Sequence, residues 1–298
     1  MQRLIKIGTR SSELALIQTQ KVINAITSIS DEFKFEIVKI KTKGDLLSNL
    51  NIKDIGGKGV FVKEIEKALL NKEIDIAVHS MKDMPYETPD TLKIFPVLKR
   101  DDPRDVFISK AHNKFLDLNK GSKIGTSSLR RQDQLIKLRN DIEFVPIRGN
   151  IGTRINKMYD MDLDGIVLAA AGLNRLEIQD IATEYFSVED IVPSPCQGIL
   201  CVEIREDFQD IFYRFYESII DKKTNYQALI ERKLLKIFGA DCKTSFGAYA
   251  DLKQTNIGEQ LEIRVFYKKD QKVFKSFIIG SVEESDKMIN ILFKNFGG

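Results

Sequence analysis

Hydrophobic residues follow two alternating spacings in the first part of the chain. Residues 4–7 and 35–40 read as β-strands, and between them apolar side chains recur at helical spacing from Leu14 to Ile29. Ser11 or Ser12 precedes this helical stripe, at a position where a serine can cap a helix. The spacing therefore predicts a strand, a helix and a second strand, which is the start of an α/β unit.

The alternation continues to about residue 100 and then begins again. A helix over about 60–70 leads into the apolar run 74–78, which is typical of a strand buried on both faces of a mostly parallel sheet. The stretch 101–104 reads as a linker. The elements predicted after it are a strand at 123–124, a helix at 129–139, a strand at 142–147, a helix at 151–159 and a strand at 165–170.

Two similar lobes are predicted, because a similar sequence opens each of them between a strand and a helix. Residues 7–12 read Ile-Gly-Thr-Arg-Ser-Ser, and residues 124–128 read Ile-Gly-Thr-Ser-Ser. After the prolines at 193 and 195, a strand predicted at 200–204 would return to the first lobe. The first domain is then discontinuous, built from residues 1–100 plus 197–218, and the second spans 104–194.

The remaining residues, 221–298, predict a small α+β domain. A helix carries apolar residues at helical spacing from Tyr226 to Phe238 and stops at Gly239. The elements predicted after it are strands near 246–252, 261–267 and 273–279 and a final helix. The predicted fold class is α/β, with two lobes built on mixed sheets and a small α+β C-terminal domain.

Composition excludes several classes of protein. With 43% hydrophobic and 30% charged residues the chain is of an ordinary soluble, globular type, and its longest uncharged apolar run, 165–173, is far shorter than the ~20 residues that cross a bilayer. The start of the chain has no apolar signal core, so we expect a cytoplasmic protein. Three cysteines, two histidines and no Cys-x-x-Cys pair argue against a disulfide framework and a zinc site.

Charge is concentrated in one stretch. The net charge of the chain is only +3, but residues 123–154 contain seven basic side chains against three acidic ones. Five of the seven are arginines, whose planar guanidinium groups favour bidentate binding of carboxylate or phosphate. The excess of basic residues over 123–154 therefore predicts that this part of the chain binds an anionic ligand.

The loops beyond the carboxyl ends of the strands are where open α/β sheets bind ligands. These loops are polar in both predicted lobes, and we expect them to open onto one cleft. They supply one carboxylate, Asp83, and seven cations: Arg10, Lys82, Arg130, Arg131, Arg148, Arg154 and Arg175.

A structural role is the alternative for each of these residues. Lys82 and Asp83 can form an ion pair in a turn before Pro85, and an isolated arginine is commonly solvated or salt-bridged. Arg130 and Arg131 stand near the start of a helix, where the helix dipole disfavours cations. An anion bound between these side chains and the helix N-terminus would offset the unfavourable interaction of the two arginines with the helix dipole.

Other chemically capable residues are expected to be structural. The glycine-rich segment 56–59 lacks the spacing of a Walker site and reads as a flexible loop. We expect a structural hydrogen bond for His79 and an exposed side chain for His112. Cys196 and Cys201 are expected to be buried and inert. Cys242 is expected to be accessible, and its charged neighbours of both signs leave its reactivity open.

Ordered sequence blocks over nearly the whole chain point to one family. The most specific block is Ile-Ala-Val-His-Ser-Met-Lys-Asp-Met-Pro at 76–85. The others lie at 7–16, 56–64, 102–105, 125–132, 147–154 and 168–173. In this order the blocks resemble the porphobilinogen deaminase family, also called the hydroxymethylbilane synthase family.

The resemblance implies a three-domain protein whose first two lobes are like periplasmic binding proteins. The third domain would carry a dipyrromethane cofactor, bound by a thioether to the cysteine that matches Cys242. Enzymes of the family join four porphobilinogen units head to tail with release of ammonia, then hydrolyse the product free as hydroxymethylbilane. Each pyrrole brings an acetate and a propionate, which agrees with the many cations in the loops.

The resemblance also implies roles for the matched residues. Asp83 would be the catalytic carboxylate, which stabilises positive charge on pyrrole nitrogen and moves protons. The residues that would bind the cofactor are Asp83, Lys82, Thr126, Ser128, Arg130, Arg131 and Arg154. Those that would orient the substrate and the growing chain are Arg10, Ser12, Phe61, Arg148, Arg175 and Gln197.

The chain departs from the family pattern around the cysteine. Ala240 and Asp241 precede Cys242 where the family usually has two glycines, which removes easy access to positive φ and adds a negative charge beside an anionic cofactor. We expect activity to survive. Further departures are Thr244, Ser245, Pro195, Cys196 and Asp54.

Two other functions compete with this reading. A non-catalytic anion-binding or sensor protein on the same two lobes would need neither Asp83 nor Cys242. A nucleic-acid binder is disfavoured by the net charge of +3, the absence of tryptophan and the lack of aromatic residues among the arginines. The family resemblance favours a monomer, and no metal or membrane partner is expected.

Overall fold

The computed structural model describes residues 2–42, 62–241, 244–256 and 258–297. The chain forms two compact units. The first unit is Met1–Asp101 with Gly198–Asn225, and the second is Asp102–Gln197 with Tyr226–Gly298.

The secondary structure of the described residues alternates strands and helices, apart from the end of the chain. The strands are β1 (Arg3–Arg10), β2 (Phe33–Ile40), β3 (Ile76–Ser80), β4 (Leu92–Val97), β5 (Asp105–Ser109), β6 (Lys123–Gly125), β7 (Glu143–Val145), β8 (Gly165–Ala169), β9 (Glu184–Tyr185), β10 (Leu200–Arg205), β11 (Ser245–Thr255), β12 (Gly258–Lys269) and β13 (Lys272–Ser281). The helices are α1 (Glu13–Thr27), α2 (Lys63–Leu70), α3 (Leu129–Leu138), α4 (Ile151–Asp160), α5 (Ala170–Arg175), α6 (Gln209–Ile219), α7 (Lys222–Ile237) and α8 (Ser285–Asn295).

The first unit is built on a mixed five-stranded sheet of order β2-β1-β3-β10-β4. β1 is parallel to β2 and β3, whereas β10 is antiparallel to both β3 and β4. Ser12 fixes the start of α1, because its side chain accepts the backbone N–H of Ala15 at 3.4 Å. The apolar stripe of α1, with Val22 and Ile26, then packs with Ile5 and other strand residues in one core.

The second unit contains a mixed sheet of order β7-β6-β8-β5-β9. β6 is parallel to β7 and β8, and β5 is antiparallel to β8 and β9. Gly165 allows β8 to approach β5, because a Cβ at this position would stand 2.3 Å from the ring of Phe107. The pattern of strand directions is the same as in the first sheet, but the antiparallel strand β5 is the first strand of its unit along the chain, whereas β10 is the last of the first unit.

The end of the chain adds a small α+β domain to the second unit. β11, β12 and β13 form an antiparallel meander in that order. Leu234 of α7 and Ile289 of α8 pack with Ile263 of β12 in one core. Gly239 ends the preceding helical segment at a φ of +58°, as expected for a helix stop. The predicted fold class is therefore confirmed: two α/β lobes with mixed sheets and a small α+β domain.

Glu231 of α7 joins the small domain to the preceding lobe inside the second unit. Its carboxylate is fully buried and accepts the backbone N–H of Ala250 in β11 at 2.8 Å and that of Cys196 at 2.5 Å. Cys196 has a φ of +60°. The Glu231 carboxylate thus accepts one backbone N–H from the strained turn at Cys196 and one from strand β11. The prediction of three separate domains stays a prediction.

Most predicted elements are present, and several were missed. The predicted strand at 74–78 is observed two positions later, as Ile76–Ser80, because β10 pairs with the backbone as far as Ser80. β4, β5, β9, α5 and α6 were not predicted. β4 contains Pro96 and β5 begins with Asp105. Proline and aspartate are uncommon in strands, so the local sequence does not indicate a strand at either place.

In the part of the chain that the structure describes, no helix combines the length and the apolar character that a membrane span requires.

We expect Glu231→Gln to lower the free energy of unfolding by about 2–3 kcal/mol, because an amide oxygen serves only one N–H and the amide NH2 then faces the other. Urea unfolding followed by circular dichroism measures this loss. Glu259→Gln is the matched control, since Glu259 is exposed on β12 of the same unit. Equal stability of the two variants would contradict the role given to Glu231.

Candidate functional site

In the first unit, the predicted site residues lie at the carboxyl ends of two adjacent parallel strands. Arg10 ends β1, and Ser12 caps α1 immediately after it. Lys82 and Asp83 belong to a single 3-10 turn, Met81–Asp83, that follows β3. Both side chains are half-buried. Because β1 and β3 are parallel neighbours, these residues occur at the same edge of the sheet.

The backbone at the end of β3 is held from two sides. The side-chain amide of Gln18, which is buried in α1, donates to Ser80 Oγ at 2.9 Å. The backbone N–H of Met81 donates to the carbonyl of Ile199 at 2.9 Å. The turn that carries Lys82 and Asp83 is therefore anchored at its first residue. Such support is needed where side chains of a site must keep a fixed geometry.

His79 is a buried structural residue, as predicted. Its Nε2 lies 3.0 Å from Oε2 of Glu203 in β10, and both side chains are buried. Burial raises the pKa of the nearby Glu66, the charge of Glu203 raises it further, and His79 and Lys63 oppose the shift. His112 is exposed and Cys196 and Cys201 are buried, so the predicted exposure of the histidine and the predicted burial of the two thiols are also confirmed.

In the second unit, the N-terminus of α3 is built by a serine cap. Ser128 Oγ accepts the backbone N–H of Arg131 at 3.4 Å, and Thr126 Oγ1 accepts that of Ser128 at 3.2 Å. Ser127 Oγ donates to the carbonyl of Ile147 at 2.8 Å. Thr126 and Ser128 are therefore hydrogen-bonded within the loop that carries Arg130 and Arg131.

The guanidinium groups of Arg130 and Arg131 meet one buried carboxylate, Asp105 at the start of β5. Nε and Nη2 of Arg131 donate to Asp105 Oδ1 at 3.1 and 2.7 Å, and Nη1 of Arg130 lies 2.7 Å from Oδ2. Asp105 is fully buried, and the two arginines are 5% and 6% exposed. Gln197 completes this group, because its Nε2 donates to Asp105 Oδ1 at 2.9 Å. We call these four residues the Asp105 cluster.

Electrostatics keep the Asp105 carboxylate ionised. Burial by itself raises the pKa of Asp105, but the charges and hydrogen bonds of Arg130 and Arg131 outweigh burial and hold this pKa well below its usual range. Burial lowers the pKa of Arg130, and the Asp105 charge opposes that shift. The cluster thus holds two cations against one anion.

The other predicted residues of the second unit lie in the loop and helix that follow β7 and in the helix that follows β8. Arg148 and Arg154 are half-buried near the start of α4, which Asn150 caps by accepting the N–H of Thr153 at 2.8 Å. Nε of Arg154 donates to the carbonyl of Gly149 at 2.8 Å. Arg175 is the last residue of α5 and is 6% exposed.

Two predicted residues, Phe61 and Cys242, lie outside the described residues, as does the segment 56–59. The residues on either side of the cysteine loop are hydrogen-bonded to each other. The hydroxyl of Thr244 donates to Asp241 Oδ1 at 2.9 Å and accepts the N–H of Asp241 at 3.1 Å. Two of the departures from the family pattern therefore form one contact.

Sequence reasoning missed the role of Asp105. Asp105 is the last position of the sequence block at 102–105, and this block by itself predicts no function for it. One feature of the sequence does indicate a role: Asp105 directly precedes the short apolar run Val106–Ile108, which forms a buried strand. A charged residue at the start of such a strand needs a buried partner.

The fold and these loops define a class of α/β protein with cation-bearing loops at the carboxyl edges of two mixed sheets. Arginines in such loops can hold a ligand with several carboxylates. A model of the family described as "Porphobilinogen deaminase, dipyromethane cofactor binding domain" matches residues 5–212. The chain belongs to the porphobilinogen deaminase family, whose members act in tetrapyrrole biosynthesis.

Curated relatives support this membership over nearly the full chain. The porphobilinogen deaminase of Clostridium kluyveri (strain NBRC 12016) is 46% identical over 279 residues, which cover 92% of this chain and 92% of the relative. That of Alkaliphilus metalliredigens (strain QYMF) is 42% identical over 285 residues, with 95% of this chain and 88% of the relative covered. The expected enzyme class is thereby confirmed. Among solved structures, a YaeC-family lipoprotein from Enterococcus faecalis V583 is 16% identical over 74% of this chain and 93% of that one, with a TM-score of 0.46.

We expect Asp105→Asn to lower the free energy of unfolding by about 3–5 kcal/mol at neutral pH, because two buried guanidinium groups lose their counter-charge. The depressed pKa of Asp105 stabilises the folded state fully above the unfolded pKa of about 3.9, and this stabilisation is lost as the pH falls below that value. The stability gap between the wild type and the variant should therefore stay constant above about pH 5 and narrow as the pH falls below about 4. Urea unfolding at several pH values tests this, and a constant gap would contradict it.

Proposed function

We propose that this protein polymerises four porphobilinogen units head to tail, with release of ammonia, and then hydrolyses the linear product free as hydroxymethylbilane. The match of the family model to residues 5–212 carries the proposal, because this stretch holds Asp83 and every cationic loop described above. The proposed partners are porphobilinogen and the growing pyrrole chain. We also propose a monomeric, cytoplasmic enzyme that needs no nucleic acid, membrane or metal.

The donor chemistry of the second unit fits a dipyrromethane cofactor. This group carries several carboxylates, and the Asp105 cluster presents one more positive charge than its own carboxylate neutralises. We propose that Cys242 holds the cofactor through a thioether. When bound, a dipyrromethane supplies the free pyrrole α-carbon to which the first substrate unit is joined.

The proposed binding residues divide into two groups. Cofactor carboxylates would accept hydrogen bonds from guanidinium, ammonium and hydroxyl donors, as carboxylates do where several cations converge. The residues proposed for the cofactor are Lys82, Asp83, Thr126, Ser128, Arg130, Arg131 and Arg154. Those proposed for the substrate and the chain are Arg10, Ser12, Phe61, Arg148, Arg175 and Gln197.

Gln197 has a structural role in addition to the proposed one. It is 1% exposed, and its Nε2 donates to the carbonyl of Pro103 at 2.7 Å and to Asp105 at 2.9 Å. These bonds fix the amide in place.

Asp83 is the proposed catalytic carboxylate. Its 3-10 turn follows a buried strand and is anchored at Met81, so the backbone that carries the carboxylate has little freedom. A fixed negative charge beside a pyrrole N–H stabilises the positive charge that develops when ammonia leaves, and the same group can accept or donate the proton. This role requires only one carboxylate.

We expect a covalent adduct of one dipyrromethane on the purified wild-type chain and none on Cys242→Ser. The physical reason is that a thioether survives unfolding, whereas a bound metabolite does not. Denaturing intact-mass spectrometry measures it. Cys201→Ser, which changes a buried thiol, should keep the adduct. A wild-type chain that stays unmodified after incubation with porphobilinogen would favour the non-catalytic anion-binding alternative.

We expect Asp83→Asn to lower kcat at least about 100-fold, because positioned acid–base and charge-stabilising groups contribute about that much or more. Consumption of porphobilinogen by the cofactor-loaded variant is the measurement. Asp90→Asn provides the control, since Asp90 is exposed in the same unit. Full turnover by the Asp83→Asn variant would remove this residue from the chemistry.

A further inference from the structure

We propose that Asp105 is a positioning residue for ligand binding, which holds the guanidinium groups of Arg130 and Arg131 together so that they bind one further carboxylate. The inference rests on the proposed function, in which that carboxylate belongs to the cofactor. It goes beyond that function by assigning a role to a residue that contacts the two arginines.

The first argument is the geometry of consecutive helical residues. Arg130 and Arg131 are neighbours in the first turn of α3, and successive side chains on a helix point about 100° apart. Their like charges also repel. Asp105 overcomes both effects, because Oδ1 accepts two hydrogen bonds from Arg131 and Oδ2 lies 2.7 Å from Nη1 of Arg130. One carboxylate therefore determines the distance between the two cations.

The second argument is that other buried contacts fix the same group. Nη1 of Arg131 donates to the carbonyl of Val167 in β8 at 2.7 Å, and Nη1 of Arg130 donates to that of Val192 at 2.8 Å. Gln197 donates to Asp105 from the other side. The carboxylate is thus held by three side chains, and neither guanidinium can turn without breaking a buried hydrogen bond.

The third argument is charge. Two guanidinium groups face one carboxylate in surroundings that are at least nine-tenths buried, and the N-terminus of α3 adds further positive potential. A buried excess positive charge is unfavourable unless an anion balances it.

The first experiment compares cofactor loading in the wild type, Asp105→Asn and Asp105→Glu by denaturing intact-mass spectrometry. We expect loading of Asp105→Asn to fall at least about tenfold, because bonds to charged groups contribute about one to two powers of ten to an equilibrium constant. Asp105→Glu keeps the charge and should load partially. Glu262→Gln is the matched control, because Glu262 is a buried carboxylate of the same unit that pairs with Arg264 and Lys253.

A second measurement uses any loaded fraction of Asp105→Asn. Positioning of the arginines predicts a raised KM for porphobilinogen or a raised salt sensitivity of loading, with kcat of the loaded fraction changed less. A general loss of folding would lower the active fraction without moving KM. Equal losses of loading in Glu262→Gln and Asp105→Asn at matched stability would overturn the proposal.

Chemical rescue and a double variant cover the case in which Asp105→Asn folds poorly. Formate has the size of the carboxylate deleted in Asp105→Ala, so we expect formate, but not chloride, to restore loading of this variant by porphobilinogen. In an Arg131→Gln background, Asp105→Asn should add little further loss, because the two residues act through one contact. Additive losses together with no formate effect would overturn the proposal.

The outcomes separate this inference from the proposed function. A wild-type chain with no adduct and no porphobilinogen consumption contradicts the function itself. A fully loaded, active wild type together with an equally loaded Asp105→Asn variant of unchanged KM contradicts only the role of Asp105.

Discussion

One antiparallel strand in each mixed sheet determines where the functional loops lie. β10 runs against β3, and β5 runs against β8, so the beginning of each antiparallel strand lies beside the carboxyl end of its parallel neighbour. In the first unit this pairing brings Ile199 next to Met81 and anchors the turn of Asp83. In the second it pairs Asp105 with Ala169, at the sheet edge where the arginine-bearing loops begin. A sheet of parallel strands alone would place neither residue there.

The Asp105 cluster shows how the fold holds together two buried cations that would otherwise separate. Two arginines next to each other in sequence are brought together by a carboxylate that can balance only one of them. If buried acids neutralised the charges of both arginines, no electrostatic attraction for an anionic ligand would remain. Without any acid, burial of the two guanidinium groups would be too unfavourable. The arrangement therefore combines order with a residual positive charge, and a ligand rich in carboxylates needs both.

The small α+β domain depends on the same principle of buried acceptors. Glu231 uses one carboxylate for two backbone N–H groups that come from different parts of the second unit. Beside the cysteine, the Thr244 hydroxyl donates to Asp241 Oδ1 and accepts the N–H of Asp241.

Local patterns in the sequence determined much of this protein. Hydrophobic spacing predicted α1, α3, α4, α7 and most strands, and ordered motifs identified the family and the loops that carry Asp83 and the arginines. These properties depend on residues that are close along the chain, so a single sequence reveals them. Tertiary structure alone decided which of these residues meet. Asp105 stands 26 positions before Arg131 and 92 before Gln197, and nothing in its local sequence indicates either contact. The same holds for β5, whose polar first residue is stable in a buried strand only because distant cations surround it.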